Sequence, residues 1–409
     1  MLAPPHNLPP RRRGWSGLQA ARVLTVMLVV MLGTAACGSS GTSPRPGESV
    51  APSESAAGAI ATANVAGTAA SIAPTQASSL APVSTSVTAF YYPWYGSLEH
   101  DGAWRHWNQL GHKPPDDIAS SFYPQRGAYS SRDPAVLAAQ MADLRSARIG
   151  VIAVSWWGQG TWDDTSLDAV VTAAGSAGIK IAFHMEPYQG QTAVSLASDI
   201  RYLLDRYGTS TALERVSRPT SGDPSTAVRP VFYLFASSRL PVADLKATIA
   251  GLRATAYDSI VMVHSPKAIS ATRLGADGVY TYDALASPDA FATLVGDCRT
   301  ANLICSPSVA PGFDNHNAVA TGLLFVDRAG GARYDAMWQA AISAGAEWIS
   351  VTSYNEWHEG TQIEPATAST IGPRTYAGYD GAYGATNADA PRAYLARTAY
   401  WVDRFPPGG

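Results

Sequence analysis

"AEWISVTSYNEWHEGTQIEP", residues 346–365, is the stretch on which the fold of this chain turns. An apolar run, AEWISVT, leads directly into the thirteen residues 353–365, which hold three glutamates, one histidine and one tryptophan. A buried strand that ends in this much acid makes physical sense when its end opens onto a site. Seven other short β-rich runs precede it. They are TAFYYPW (88–94), IGVIAVSWW (149–157), KIAFHMEPY (180–188), PVFYLFA (230–236), SIVMVHS (259–265), GVYTYDA (278–284) and LICSPSVAP (303–311), with WISVTSYNEW (348–357) as the eighth. Most are nearly continuous apolar runs, as strands covered on both faces are.

Amphipathic segments separate them. DPAVLAAQMADLRSARI carries Asp133 as N-cap and Pro134 at the first helical position. SLDAVVTAAGSAGI follows, then AVSLASDIRYLLDRYG with Gly208 as its stop. VADLKATIAGLRATA, SPDAFATLVGDCRTA, ARYDAMWQAAISAGA and APRAYLARTAYWVDRF continue the alternation, and PKAISATRLGA is its weakest link. Eight strand–helix units over roughly 320 residues predict an α/β fold of the (β/α)8 barrel type. The competing open doubly wound sheet lacks the Gly-rich turn it needs after its first strand.

Active sites of such barrels lie at the C-terminal ends of the strands. YYPWYG, SWWGQG, HMEPYQG, YTYDA and the acidic motif all fall at that end. Glu356 and Glu359 are three residues apart in a tight turn, so both carboxylates can face one cavity. Paired carboxylates are the minimum equipment for glycoside hydrolysis, one protonated and one ionised, and a wall of low polarity pushes their pKa values apart. His358 can donate a hydrogen bond to either. Glu186 adds a third carboxylate, suited to hold sugar hydroxyls, to tune the pair or to form a structural ion pair. A metal site at His184, Glu186, His358 and Glu359 is disfavoured, because no His-x-x-x-His helix is present. A serine nucleophile lacks its Gly-x-Ser-x-Gly elbow.

The chain has 409 residues, a formal net charge of -3 and 15% charged residues, which argues against binding nucleic acid or an anionic membrane. Eleven Trp and 19 Tyr supply more aromatic surface than a core needs, and flat faces with a polar edge suit sugar rings. The three cysteines, Cys37, Cys298 and Cys305, form no Cys-x-x-Cys pair, so a zinc ribbon is excluded. Residues 1–37 read as a secretory signal: Arg11–Arg13, an apolar run Val23–Leu32 too short to span a bilayer, then small residues up to Cys37. GTAAC resembles a bacterial lipobox, which makes Cys37 the lipidated first residue and the membrane contact a lipid anchor alone. Residues 38–86, rich in Gly, Ser, Ala, Thr and Pro, read as a disordered tether, and 87–409 as the barrel domain. Cys298 and Cys305 are spaced for a short-loop disulfide or for two buried thiols.

FYYPWYG followed by WRHWN, HMEPY and RYDAMWQAAISAGAEWISVTSYNEWHEGTQIEPA resembles glycoside hydrolase family 99, the endo-α-mannosidases and endo-α-mannanases, over residues 88–405. The resemblance implies a (β/α)8 barrel that cleaves internal α-mannosidic bonds of a glycan or polysaccharide with retention and with no metal or cofactor. It implies a 1,2-anhydro sugar intermediate, with Glu356 as base on the 2-hydroxyl and Glu359 as acid and then base. Glu186 and Tyr280 or Tyr282 would hold the sugar, with Trp156, Tyr95, His106, Asn355 and His358 also in the site. The stretch 311–331 departs from the family's charged, aromatic loop. The alternatives are a related barrel acting on α-glucans, distinguished by mannose's axial 2-hydroxyl, and a non-catalytic glycan-binding lipoprotein, distinguished by turnover. The expected state is an exported monomer, anchored at the cell surface or membrane as a lipoprotein or otherwise secreted.

Overall fold

The computed structural model describes residues 82–406, Pro373 excepted. The eight apolar runs form eight parallel strands: β1 (Ser84–Tyr91), β2 (Ile149–Trp156), β3 (Lys180–Met185), β4 (Arg229–Leu234), β5 (Ile260–His264), β6 (Gly278–Tyr280), β7 (Ile304–Ser306, resumed at Ser308–Val309) and β8 (Ile349–Val351). Each pairs in parallel with the next, from Ile152 beside Ile181 to Val351 beside Val309. Val87–Ile349 pairing then joins β8 to β1 and closes the ring. A closed ring leaves no sheet edge unpaired. Gly278 is needed for closure, because a Cβ there would lie 2.3 Å from the Ile304 carbonyl oxygen across β6 and β7.

Among the described residues, eight helices alternate with the strands as expected: α1 (Pro134–Ser146), α2 (Trp162–Ala177), α3 (Ala193–Tyr207), α4 (Val242–Arg253), α5 (Ile269–Leu274), α6 (Ala290–Thr300), α7 (Ala332–Ser343) and α8 (Ala393–Val402), and one further turn of helix, Leu98–Asp101, lies in the loop after β1. Asp133 caps α1 by accepting from the Ala135 N–H at 2.8 Å, with Pro134 behind it. Helix α2 starts four residues before the expected Ser166, because Thr161 supplies the cap. The weak fifth connection is a helix of six residues.

The strands are shorter at their C-terminal ends than the apolar runs suggest. Strand β8 stops at Val351, so residues 352–365 form a loop rather than a strand end. A second correction concerns the cysteines. The possible Cys298–Cys305 disulfide is not formed, and both thiols are free and buried. Helix α6 and strand β7 hold them at hydrogen-bonding separation, and that contact, with burial, pushes the Cys305 thiol up. The signal, Cys37 and residues 38–81 of the tether lie outside the described residues, and the expected tether ends too late: Ser84–Ser86 already belong to β1 of the barrel, where Ser84 pairs with Ile149.

At the N-terminal end of the ring, the fully buried Asp277 accepts from Thr220 Oγ1 at 2.7 Å, Arg253 NH2 at 3.0 Å and the Val261 N–H at 2.8 Å. Arg229, 2% exposed, lies 3.5 Å from the same carboxylate and 2.6 Å from Asp223. Removing one member of such a group strands a buried charge, at about 3–5 kcal/mol. Asp277→Ala should therefore lower the unfolding free energy in urea by about that amount. Because this cluster is at the opposite end from the acidic loop, kcat per folded molecule should be unchanged.

Candidate active site

The acidic motif leaves β8 and crosses the C-terminal mouth of the barrel. Asn355 anchors it first: its amide accepts from the Tyr92 N–H at 2.7 Å and donates to the Tyr92 carbonyl at 3.0 Å. The Tyr95 hydroxyl then donates to the Asn355 carbonyl at 3.2 Å and accepts from the Trp357 N–H at 3.1 Å. Trp357–Glu359 form one 3-10 turn, and the Glu356 side chain caps it by accepting from the His358 N–H at 3.0 Å. At the far end the fully buried Glu364 accepts from Trp357 Nε1 at 3.0 Å, Tyr129 at 2.7 Å and Gln140 at 2.9 Å.

This loop brings three carboxylates together. Glu356, Glu359 and Glu186 are 2%, 9% and 3% exposed, too little for water to screen them from one another. Burial raises Glu356 well above the usual carboxylate range and the charge of Glu359 raises it further, against backbone donors from His358 and Glu359. Burial, then the charge of Glu186, pushes Glu359 up to about 8, while a hydrogen bond from Tyr282 acts the other way. Two such groups cannot both ionise cheaply, so the pair retains a proton where an isolated glutamate has none.

Glu186 sits at the end of β3 in a built socket. Ser155 Oγ donates to its Oε1 at 2.9 Å, and His184 Nδ1 lies 3.0 Å from the same oxygen. His184 Nε2 is 2.9 Å from the Tyr280 hydroxyl. Tyr280 thus lies one layer below the carboxylates and touches Glu186 only through His184. Of the two tyrosines in YTYD, it is Tyr282 that reaches the acids.

The sequence places Trp156 in the site, and the fold does not. In β2 the side chains alternate. Ser155 points inward to Glu186, whereas Trp156 points outward and donates from Nε1 to Asp164 of α2 at 2.8 Å. The next residue, Trp157, returns to the site: its Nε1 donates to Ser155 Oγ at 3.1 Å, and its ring stacks 6.3 Å from Trp94. Trp94 stacks in turn on His106 at 4.4 Å, so Trp94, Trp157 and His106 make an aromatic wall. Tyr95 and Asn355 belong to the loop's anchorage.

His358 is not the donor expected from its position. Burial pushes it down to about 4, so it is neutral. Its Nε2 lies 2.9 Å from the His106 carbonyl, which requires the proton there and leaves Nδ1, 3.5 Å from Glu356 Oε1, without one. Sequence reasoning also missed Tyr92, whose hydroxyl hydrogen-bonds that of Tyr282 beside all three glutamates. Its place at the end of β1 was the available signal. Glu364 was missed because nothing local shows that Gln140 and Tyr129 converge on it.

A family model for glycosyl hydrolase family 99 matches residues 82–406. The glycoprotein endo-alpha-1,2-mannosidase-like protein of Danio rerio is 35% identical, with 77% of this chain and 77% of that protein covered. The glycoprotein endo-alpha-1,2-mannosidase of Xenopus laevis is 32% identical, with 79% and 78% covered. The structure of the GH99 endo-alpha-mannosidase from Bacteroides thetaiotaomicron superposes with a TM-score of 0.70 at 32% identity, covering 79% of this chain and 98% of that one. A matching family model over nearly the whole described barrel, with relatives above 30% identity, means that this chain belongs to glycosyl hydrolase family 99 and is a glycoside hydrolase.

Proposed function

We propose that this protein hydrolyses internal α-mannosidic bonds with retention, using Glu356 as base on the 2-hydroxyl and Glu359 as general acid and then base. The observation that carries the reading is the trio of buried carboxylates at the barrel mouth, two of them with raised pKa values. Glu359, raised to about 8, is suited to hold a proton for the leaving oxygen at neutral pH. Glu356 accepts two backbone N–H donors, which favour its anion once the proton is lost. In the first step Glu356 takes the proton from O2, O2 bonds to C1, the C1–oxygen bond breaks, and Glu359 gives its proton to the departing oxygen. In the second step Glu359 takes a proton from water, the water oxygen bonds to C1 as the C1–O2 bond of the 1,2-anhydro sugar breaks, and Glu356 returns the proton to O2. Two inversions at C1 amount to retention. Tyr282 and Glu186 are placed to orient the sugar, and the Trp94–Trp157 wall offers it an apolar face.

The direct test is turnover of an α-mannan beside a starch control, with products resolved by size and anomer. Glu359→Gln should lose on the order of 10²–10⁴-fold on unactivated substrate. Glu356→Gln should be as slow yet still bind. A variant that keeps more than about a tenth of the wild-type rate, far less loss than general acid–base catalysis accounts for, would refute its residue's role.

The pH profile has a predictable sign. Glu359 must be protonated to act as acid, so kcat/KM should fall as pH rises through about 8. Glu356 must be ionised, and its raised pKa puts the acid limb above the ordinary carboxylate range. Both limbs belong to the coupled pair. Glu186→Gln removes a negative neighbour that raises both groups, so the surviving activity should show its alkaline limb at lower pH.

The same reading includes export and a lipid anchor at Cys37, a residue outside those described. The wild type should partition into detergent with its N-terminus at Cys37. Cys37→Ala should accumulate as precursor or in the medium. Wild-type protein recovered wholly soluble with another N-terminus would refute the anchor while leaving the catalytic reading intact.

A further inference from the structure

We propose that Arg328 is a positioning residue for the general acid, a role that rests on the reading of Glu359 given above. After β7 the chain forms a two-stranded antiparallel ladder, Phe313–Asp314 against Phe325–Val326, and then reaches Arg328. This is the segment that departs from the family's charged loop. It packs against the turn that carries Glu359. Gly360, directly after Glu359, has φ 60°, and a Cβ added there would lie 3.0 Å from the Cβ, N and O of Asp314. Glycine alone fits that left-handed position at such close approach.

Arg328 grips the same turn from the other end of the ladder. Its NH2 donates to the Gly360 carbonyl at 2.9 Å and to the Gln362 carbonyl at 2.7 Å. The guanidinium carbon lies 4.6 Å from the ring centre of Phe122, 4.8 Å from Tyr379 and 4.7 Å from Tyr394. The cation is thus caged by three ring faces, and one of its terminal nitrogens serves two backbone carbonyls of the acidic loop. A planar, always-charged fork suits both demands in a way an ammonium does not.

The loop needs such a hold. Glu359 sits beside Glu186 and Glu356, so once it gives up its proton its charge repels theirs. Tyr282 restrains its carboxyl by a hydrogen bond. Arg328 holds the turn one peptide away, at the Gly360 carbonyl. Loss of the grip lets the acid drift from the leaving oxygen while Glu356, held separately by Ser353 and the turn's own N–H groups, stays in place.

The test compares kcat/KM, which reports events up to departure of the leaving group, on an oligomannoside with a sugar leaving group and on α-mannobiosyl fluoride. Fluoride departs without a proton. Arg328→Met, which fills the ring cage but donates nothing, should lose about 10–100-fold on the oligomannoside and less than about threefold on the fluoride. Arg328→Lys should fall between it and the wild type. Equal losses on both substrates, or no loss on either, overturn the proposal. If Arg328→Met is not recovered folded, Arg328→Lys carries the same comparison with the same criterion. Glu359→Gln, measured alongside, separates the two failures. It should be slow on the oligomannoside and far less impaired on the fluoride. Equal impairment there would overturn the acid assignment itself, and the role of Arg328 with it.

Discussion

The buried carboxylate of Glu364 is the constraint on which the barrel mouth depends. It is fully inaccessible, and burial pushes its pKa up against donors from Arg126, Gln140 and Tyr129. An acid buried without such donors would destabilise the fold by several kcal/mol, so the donors and the carboxylate define one another's positions. Gln140 lies on α1 and Tyr129 on the loop before it, while Glu364 and its fourth donor, Trp357, lie on the loop after β8. One group therefore ties the last barrel loop to the first helix. Asn355 does the same at the other end of that loop by pairing with the backbone of Tyr92.

Between those two ties the chain makes a turn that would not persist alone. Three carboxylates in a low-dielectric mouth repel one another, and each raised pKa measures that repulsion together with the loss of water. The surrounding groups limit the strain at particular atoms. Ser155 serves Glu186, Tyr282 serves Glu359, and backbone N–H groups serve Glu356. Unequal support of similar acids is what allows one carboxyl to hold a proton while its neighbour gives one up.

The packing beneath the mouth is as directional as the chemistry above it. Strand pleat alternation sends Ser155 in, Trp156 out and Trp157 back toward the site. His184 sits below Glu186 and Tyr280 below His184, so polar groups descend one layer into an otherwise apolar ring. Together they hold Glu186 from below.

The sequence by itself determined the barrel, because eight apolar runs separated by capped amphipathic segments have few other ways to bury their surface. It also brought Glu186, Glu356 and Glu359 to one end of the barrel, since all three fall at strand ends and parallel strands bring those ends together. Local spacing placed Glu356 and Glu359 on one turn without help from the rest of the chain. What only the tertiary structure decided were facts of direction and distance. The inward face of β2 could not be told from an all-apolar run, so Trp156 and Trp157 were indistinguishable until the pleat assigned them. Tyr280 and Tyr282 differ by one layer of depth, which no periodicity records. The two body cysteines are separated by a helix end and a strand start whose geometry alone sets thiol contact rather than a bond. Asn355 acts on a residue 263 positions away, Glu364 on one 224 away and Arg328 on one 32 away, and such convergence exists only once the ring has closed.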